Sequence, residues 1–438
     1  MIQAQPQTSG FSNLGIDARL LSTLNYLKFT TPTPIQEQCI PHAITGKDIV
    51  GIAQTGTGKT LAFGIPIVQR LAKSDGQALI LLPTRELALQ VEEVLRKIGG
   101  SYGLMTAVII GGASSYQQKN LLRRNPHVII STPGRLLDHI NQKNVALHRM
   151  KIVVLDEADR MFDIGFMNDI KKILNATPKE RQTLMFSATM PKEIADIAAH
   201  YMKVPLRIEV APAGTSASNV EQEVFIVARD AKPQLLEKLL IDNKGTVLIF
   251  TRTKHAAKRI AANINSMGHA AAELHSNRSL GQRKEAMAGF KSGKYRVMVA
   301  TDIAARGIDV KDISLVINFD LPDNHEDYVH RIGRTGRAEK YGKAVTFATP
   351  EERMDIKHIE RLIRKTIPII ALPVLPPRRF HAPVPRDVSP YRHVTAQRSG
   401  GQGGGGGQQY RGNYPPRRQG GQGGGNWQKR PKNMNPKY

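Results

Sequence analysis

One cysteine in 438 residues, Cys39, leaves no partner for an internal disulfide, and no Cys/His cluster has zinc-ligand spacing. This usage points to a reducing, cytoplasmic setting without structural metal, with Cys39 read as core filler. Long apolar runs are also missing: none approaches the roughly 18 residues that a membrane span needs. Met1 to Gly10 has no basic patch followed by an apolar stretch, so neither export nor membrane insertion is expected. A chain of this length suits two or three domains, each able to bury its own core without covalent staples. Acid is scarce too. Against 62 Lys and Arg there are 37 Asp and Glu, a formal charge of +25, which favours a polyanionic partner through phosphate neutralisation and counterion release. Charge alone leaves RNA, DNA and an acidic membrane surface all open.

What is present is organised in three parts. Between Pro34 and Pro373, short apolar runs alternate with amphipathic stretches, the pattern of strands alternating with helices in a parallel sheet. Strands are expected at 48–53, 78–82, 128–131, 152–155 and 184–186, and again at 223–227, 246–250, 296–300, 315–317 and 344–347. The small polar stretch Ala211 to Asn219 separates the two sets and reads as a linker. The expected organisation is therefore an α/β chain: a first domain over 1–210, a linker over 211–219, a second domain over 220–372 and a disordered tail over 373–438. No alignable repeat relates the halves. From Pro376 the tail carries twelve Lys and Arg against Asp387, so it supplies +11 of the net charge and the body keeps +14. Its richness in Gly, Gln and Pro cannot offset the entropy of ordering. Tyr410, Tyr414 and Trp427 stand among the tail's basic residues, available to stack on bases.

Ala53-Gln54-Thr55-Gly56-Thr57-Gly58-Lys59-Thr60 follows a predicted strand and opens an apolar helix. Glycines there let the backbone wrap phosphates, amides and the helix start point at negative charge, Lys59 reaches the β and γ phosphates, and Thr60 holds Mg²⁺. The usual pattern begins with Gly, and Ala53 departs from it. Asp156-Glu157-Ala158-Asp159 ends another predicted strand, where burying two adjacent carboxylates is costly. A Mg²⁺ ion held by Asp156 and an attacking water polarised by Glu157 supply a reason for that cost; by itself, a capped helix start explains the same four residues.

Together these motifs and those that follow in order make the chain similar to the DEAD-box RNA helicase family from Phe11 to about Ile370. Its short core and basic tail are most similar to the bacterial RhlE-like branch. The family's fold implies two tandem RecA-like parallel-sheet domains. The resemblance implies an adenine-recognition segment at about 9–37, in which Gln36 bonds the adenine edge and Phe29 stacks on the ring. It implies first-domain RNA contacts from Arg85 in Pro83-Thr-Arg-Glu-Leu-Ala88, from Gly112, and from Thr132 and Arg135 in Thr132-Pro-Gly-Arg135. Asp159, Ser187, Thr189 and His330 are implied to couple hydrolysis to strand separation, His330 by linking domains. In the second domain, Thr301 and Arg306 fall near RNA and Asp309 near the ribose, while Arg334 and Arg337 of His330-Arg-Ile-Gly-Arg-Thr-Gly-Arg337 act as arginine fingers. The family often has His-Gly-Asp where this chain reads His275-Ser-Asn-Arg-Ser-Leu-Gly-Gln-Arg283, with Gln282 and Arg283 assigned to that motif.

The activity so implied is RNA-stimulated ATP hydrolysis that unwinds short duplexes as two domains close and open, gripping RNA through its sugar-phosphate backbone, with ribosomal precursors or RNA-decay proteins as partners and no membrane. Two other readings stand beside it: an ATP-gated RNA clamp or scaffold, and a DNA-directed motor of the same superfamily.

Overall fold

The computed structural model describes residues 10–54, 56–210, 220–305, 310, 313–336 and 341–377. Ten of its strands fall where the apolar runs lie: β1 (Ile49–Ile52), β2 (Gln77–Leu81), β4 (Val128–Ser131), β5 (Met150–Leu155), β6 (Gln182–Ser187), β8 (Val220–Ile226), β9 (Val247–Phe250), β11 (Val297–Ala300), β12 (Leu315–Asn318) and β13 (Gly342–Ala348). Four more strands lie outside those runs: β3 (Thr106–Ile109), β7 (Leu206–Glu209), β10 (Ala271–Leu274) and β14 (Ile369–Ile370). All four are sheet edges. The first sheet runs β3-β4-β2-β5-β6-β1-β7 and the second β10-β11-β9-β12-β13-β8-β14. An edge strand is covered less completely than a central one, so it needs no continuous apolar run. β7 buries only Ile208, and both residues of β14 are exposed.

Every recorded strand pair is parallel. Counted from its own first strand, each sheet has the same order, so the halves share one architecture even though no repeat shows in the sequence. Helices on both faces bury the central strands, whose alternate residues enter opposite cores. In β2, Ala78 and Ile80 join Ile152, Val154 and Phe186 on one face. Leu79 and Leu81 join Val153, Leu155 and Met185 on the other. Cys39 lies in the first of these cores, and burial pushes its thiol up to about 12. Phe11 is buried in the same core.

The second domain repeats the two-faced arrangement. Val316 and Ala344 face one cluster, and Ile317 and Val345 the other. Residues 373–377 run beside its first helix, Lys232–Asp242: Leu375 packs on the core and the Gln234 amide donates to the Pro376 carbonyl at 2.7 Å. The linker 211–219 and the tail from 378 lie outside the described residues. Among the described residues, no helix is long and apolar enough to cross a membrane.

Candidate active site and nucleic-acid interface

Parallel sheets carry ligands at the carboxyl ends of their strands, where loops and helix starts converge. In the first sheet, β1 leads into residues 53–58, β5 into Asp156, and β6, which lies between them, into Ser187. The register Ile52↔Ser187 and Leu155↔Met185 brings the three segments side by side. The loop after β1 feeds the helix Lys59–Leu71 through Gly58, which holds φ +88° and whose Cβ, were there one, would collide with the Gln36 amide. Lys59 is buried, its ammonium donating to the Ala53 carbonyl at 2.9 Å, while Thr60 is half-buried beside it.

The expected adenine segment docks onto this loop. The Thr33 hydroxyl donates to the Thr57 carbonyl at 2.7 Å, and the Gln36 amide donates to the Gly58 carbonyl at 2.9 Å while accepting from Thr33 N–H. An amide has a second N–H and a second lone pair, so Gln36 is anchored with capacity to spare. Phe29 is 38% exposed. The pairing of Thr33 and Gln36 as a capping box on the helix Pro34–Ile44 is what aims the amide at the phosphate loop.

Asp156 is buried, and loss of water pushes its carboxyl up to about 6; Lys59 opposes that rise and Glu157 adds to it. A buried carboxylate held uphill beside a lysine is a donor that a hard divalent cation would relieve, and Thr60, next to Lys59 in the chain, is the hydroxyl expected to join it. Glu157 sits at φ 53°, ψ 52°, the left-handed region that few non-glycine residues occupy, as N-cap of the helix Ala158–Asp163. Strain of this kind persists where surrounding structure fixes it, and functional sites are where it gathers.

Asp159 turns away from these groups toward β6. Its carboxylate accepts from Ala188 N–H at 3.0 Å, Thr189 N–H at 2.9 Å and the Thr189 hydroxyl at 3.1 Å, and its own N–H donates to the Ser187 hydroxyl at 3.2 Å. The segment 187–189 is thereby tied to the helix that carries Glu157 at its start. Neither Ser187 nor Thr189 caps the helix that follows, whose N-cap is Pro191; their bonds go to another segment.

Arg160, next in the chain, belongs to none of the motifs that the sequence singles out. It is buried and pairs across the domains with Asp327, and it also reaches Asp163 at 3.3 Å. Burial disfavours its charge, yet Asp327 outweighs that and holds the guanidinium above its ordinary range. Asp327 lies on the helix Glu326–Ile332, together with His330 and Arg331, just before Arg334. Arg331 binds Asp302 through two bonds of 2.5 and 2.7 Å and the Asp320 carbonyl at 2.6 Å. Arg334 is buried and donates to the His330 carbonyl at 3.2 Å. A small cavity is lined by Arg160, Asp302, His330, Arg331 and Arg334, so Arg334 and His330 share it with a first-domain residue. The only signal for Arg160 in the sequence is its place after an acidic run, and acidic runs commonly neighbour solvated arginines.

A second cleft, of about 330 Å³, gathers Arg85, Thr132 and Arg135 with Gly111 from the first domain and Ser276 and Arg283 from the second. Gly112, at φ +77°, adjoins it, and a Cβ there would strike the Arg85 guanidinium. Burial, with Arg283 nearby, holds Arg85 below its ordinary pKa range; cations crowded in this way are relieved by an anion. Arg283 donates to Glu86 at 2.6 Å, a second bridge between domains. Gln282 instead serves its own helix, forming with Ser279 the capping box of Leu280–Lys291. Thr301 is not brought to the basic cleft. It lines a neighbouring one of about 290 Å³ with Asp163, Asp302, Asp323 and Asp327, and Ile164 borders both. Thr55, Arg306, Asp309 and Arg337 lie outside the described residues.

The family profile described as DEAD/DEAH box helicase matches residues 33–197, and that described as helicase conserved C-terminal domain matches 231–339. The DEAD-box ATP-dependent RNA helicase CshA of Bacillus cereus is 43% identical over 368 residues, 83% of this chain and 70% of the relative. That of Bacillus subtilis is 42% identical over 371 residues, 84% and 75%. Among solved structures, Saccharomyces cerevisiae Dbp5 bound to RNA and ADP BeF3 superposes with a TM-score of 0.74 at 29% identity, covering 82% of this chain and 95% of that one. A DEAD box protein from Methanococcus jannaschii, at 38% identity and covering 83% and 99%, reaches only 0.50. Sequence identity therefore does not set how well the paired domains superpose. With its phosphate loop, its acidic strand end and its second-domain arginine helix matched over both halves, the chain belongs to the DEAD/DEAH box helicase family.

Proposed function

We propose that this chain is an ATP-dependent RNA helicase whose ATP site is split between a first domain over 1–210 and a second over 220–372, joined by the linker 211–219 and followed by an RNA-tethering tail from 373. The buried Arg160–Asp327 pair carries this reading, because it fastens the helix that begins at Glu157 to the helix that leads to Arg334.

Lys59 and the backbone of 53–58 bind the phosphates, Gln36 and Phe29 the adenine, and Asp309 the ribose. Thr60 and Asp156 hold Mg²⁺, which when bound neutralises phosphate charge. Glu157 orients water and accepts its proton; Arg334 and Arg337 face the γ-phosphate, where charge builds in the transition state. Neither half hydrolyses ATP efficiently alone, so closure on ATP and RNA assembles the site and phosphate loss lets it open.

Arg85, Gly112, Thr132 and Arg135, with Thr301 and Arg306, grip the sugar-phosphate backbone of one strand without reading bases. Thr189, tied to Asp159, transmits the state of the ATP site to that grip, and His330 links the domains. Short duplexes part locally because a strand held this way no longer fits a helix. Work on ribosomal precursors or with RNA-decay proteins in the cytoplasm accompanies this reading; recovery of crosslinked RNAs from cells tests it.

Strand displacement with matched RNA and DNA duplexes tests the function itself. ATP-dependent release from the RNA duplex is expected. A clamp would bind without release, and a DNA motor would prefer DNA; either result replaces this reading.

A further inference from the structure

We propose that His325, Asp355 and His358 form a zinc-class divalent cation site in the second domain. His325 precedes the motif that begins at His330 by five residues, but none of the three belongs to a motif or lines the clefts described above. Asp355 and His358 stand three residues apart on the helix Arg353–Ile363, so their side chains share one face. His325 is the N-cap residue of the helix Glu326–Ile332, which packs against it.

One ligand atom from each of the three lies within 4.8 Å of the others. His325 Nε2 is 3.5 Å from the Asp355 carboxylate, and the two imidazole rings lie 5.3 Å apart, tilted by 51°. Donor atoms around a tetrahedral zinc ion at about 2.0–2.1 Å stand roughly 3.4 Å from one another. Rotation of side chains by about an ångström therefore closes the site, and His358 on the exposed helix face is free to make it.

The donor set selects the ion. Two imidazoles and one carboxylate with an open fourth position suit Zn²⁺, whereas Mg²⁺ and Ca²⁺ take oxygen ligands. No spacing rule reveals such a set, because 30 residues separate His325 from Asp355 and only the packing of two helices joins them. Its position also has a consequence. The helix capped by His325 carries Asp327, the partner of Arg160, so an ion held there ties that helix to the last helix of its domain.

The full chain, with Mg²⁺ in excess to occupy the nucleotide site, is titrated with Zn²⁺ by calorimetry and with Co²⁺ by visible absorption. Binding of one equivalent with the intense spectrum of tetrahedral Co²⁺ is expected. His358→Ala and Asp355→Asn should each weaken it at least about tenfold. Zinc should raise the melting temperature of the wild type but not of His358→Ala. The proposal is overturned if His325→Ala/His358→Ala binds as much metal as wild type, if Co²⁺ shows only a six-coordinate spectrum, or if no equivalent binds. His358 is exposed, so His358→Ala decides the matter even where the double variant does not fold, its fold being checked by an unchanged melt in EDTA.

Discussion

At Glu157 and Asp156, adjacent carboxyl groups with the same chemistry are given different work by their surroundings. Asp156 is buried with its pKa raised to about 6, while Glu157 occupies a left-handed backbone position at the start of a helix. Glu157→Gln should keep ATP binding and lose turnover by about 10²-fold or more, the usual worth of a positioned general base; a fluorescent nucleotide titration beside a phosphate-release assay checks both halves. Asp156 makes a stability prediction of definite sign. Its folded pKa lies above the ordinary 3.8, so its contribution to stability is fully present below about pH 4 and is lost as pH rises through about 6. In EDTA at neutral pH, Asp156→Asn should therefore melt higher than wild type while having no ATPase activity. A lower melting temperature would show that the carboxylate is not held uphill. The sequence made both residues legible because adjacent acids after an apolar strand lie downstream of a phosphate loop, a combination that a capped helix start alone does not explain. It hid Arg160, whose burial depends on Asp327, 167 residues away.

The segment 187–189 and the helix Glu326–Ile332 work as elements, each through bonds that cross to another part of the fold. Three of the donors that satisfy Asp159 come from Ala188 and Thr189. Replacing Thr189 by Ala removes one of those bonds and leaves the nucleotide residues in place. Turnover should survive within about tenfold, while strand displacement falls further, since the removed bond is about 1 kcal/mol of the link between them; comparing ATP consumed per duplex released measures the split. For the helix, Arg160→Gln and Asp327→Asn should each raise the RNA concentration needed for half-maximal ATPase, and the double variant should be scarcely worse than either single one, because both remove the same buried pair. Additive losses would separate the two residues. Ten strands fall on the expected runs, and β3, β7, β10 and β14 do not. β7 and β10 are broken by charged residues, as edge strands can be, whereas β3 and β14 carry short apolar runs at 107–110 and 369–370 whose pairing at a sheet edge only the fold reveals.

For the whole molecule, charge is divided between a body at +14 and a tail at +11. The body holds its cations in a defined cleft, where Arg85, Arg135 and Arg283 converge from two domains. On the proposed function, the twelve basic residues from Pro376 onward add affinity of another kind, through counterion release, with Tyr410, Tyr414 and Trp427 among them available to stack on bases. Truncation after Pro376 should weaken RNA binding and flatten its dependence on salt, by about 0.7 in slope for each phosphate no longer neutralised. Basal ATPase should stay within about twofold of wild type, because the phosphate loop, the acidic strand end and the glycine-spaced arginines all precede Pro376 in the sequence. Unchanged affinity and slope would make the tail a solubilising extension.

The sequence by itself determined what could be read locally. The phosphate loop, the acidic strand end and the glycine-spaced arginines each put their chemistry within a few consecutive residues, and alternation of apolar runs announced two parallel sheets. Only the tertiary structure decided what depends on distant segments meeting: the shared strand order of the two halves, Arg160 against Asp327, Arg283 against Glu86, and His325 beside Asp355 and His358. The physical reason is one of range. Backbone wrapping and helix starts are properties of neighbours in the chain, whereas a buried ion pair or a three-ligand cluster exists only once packing has brought its members within a few ångströms.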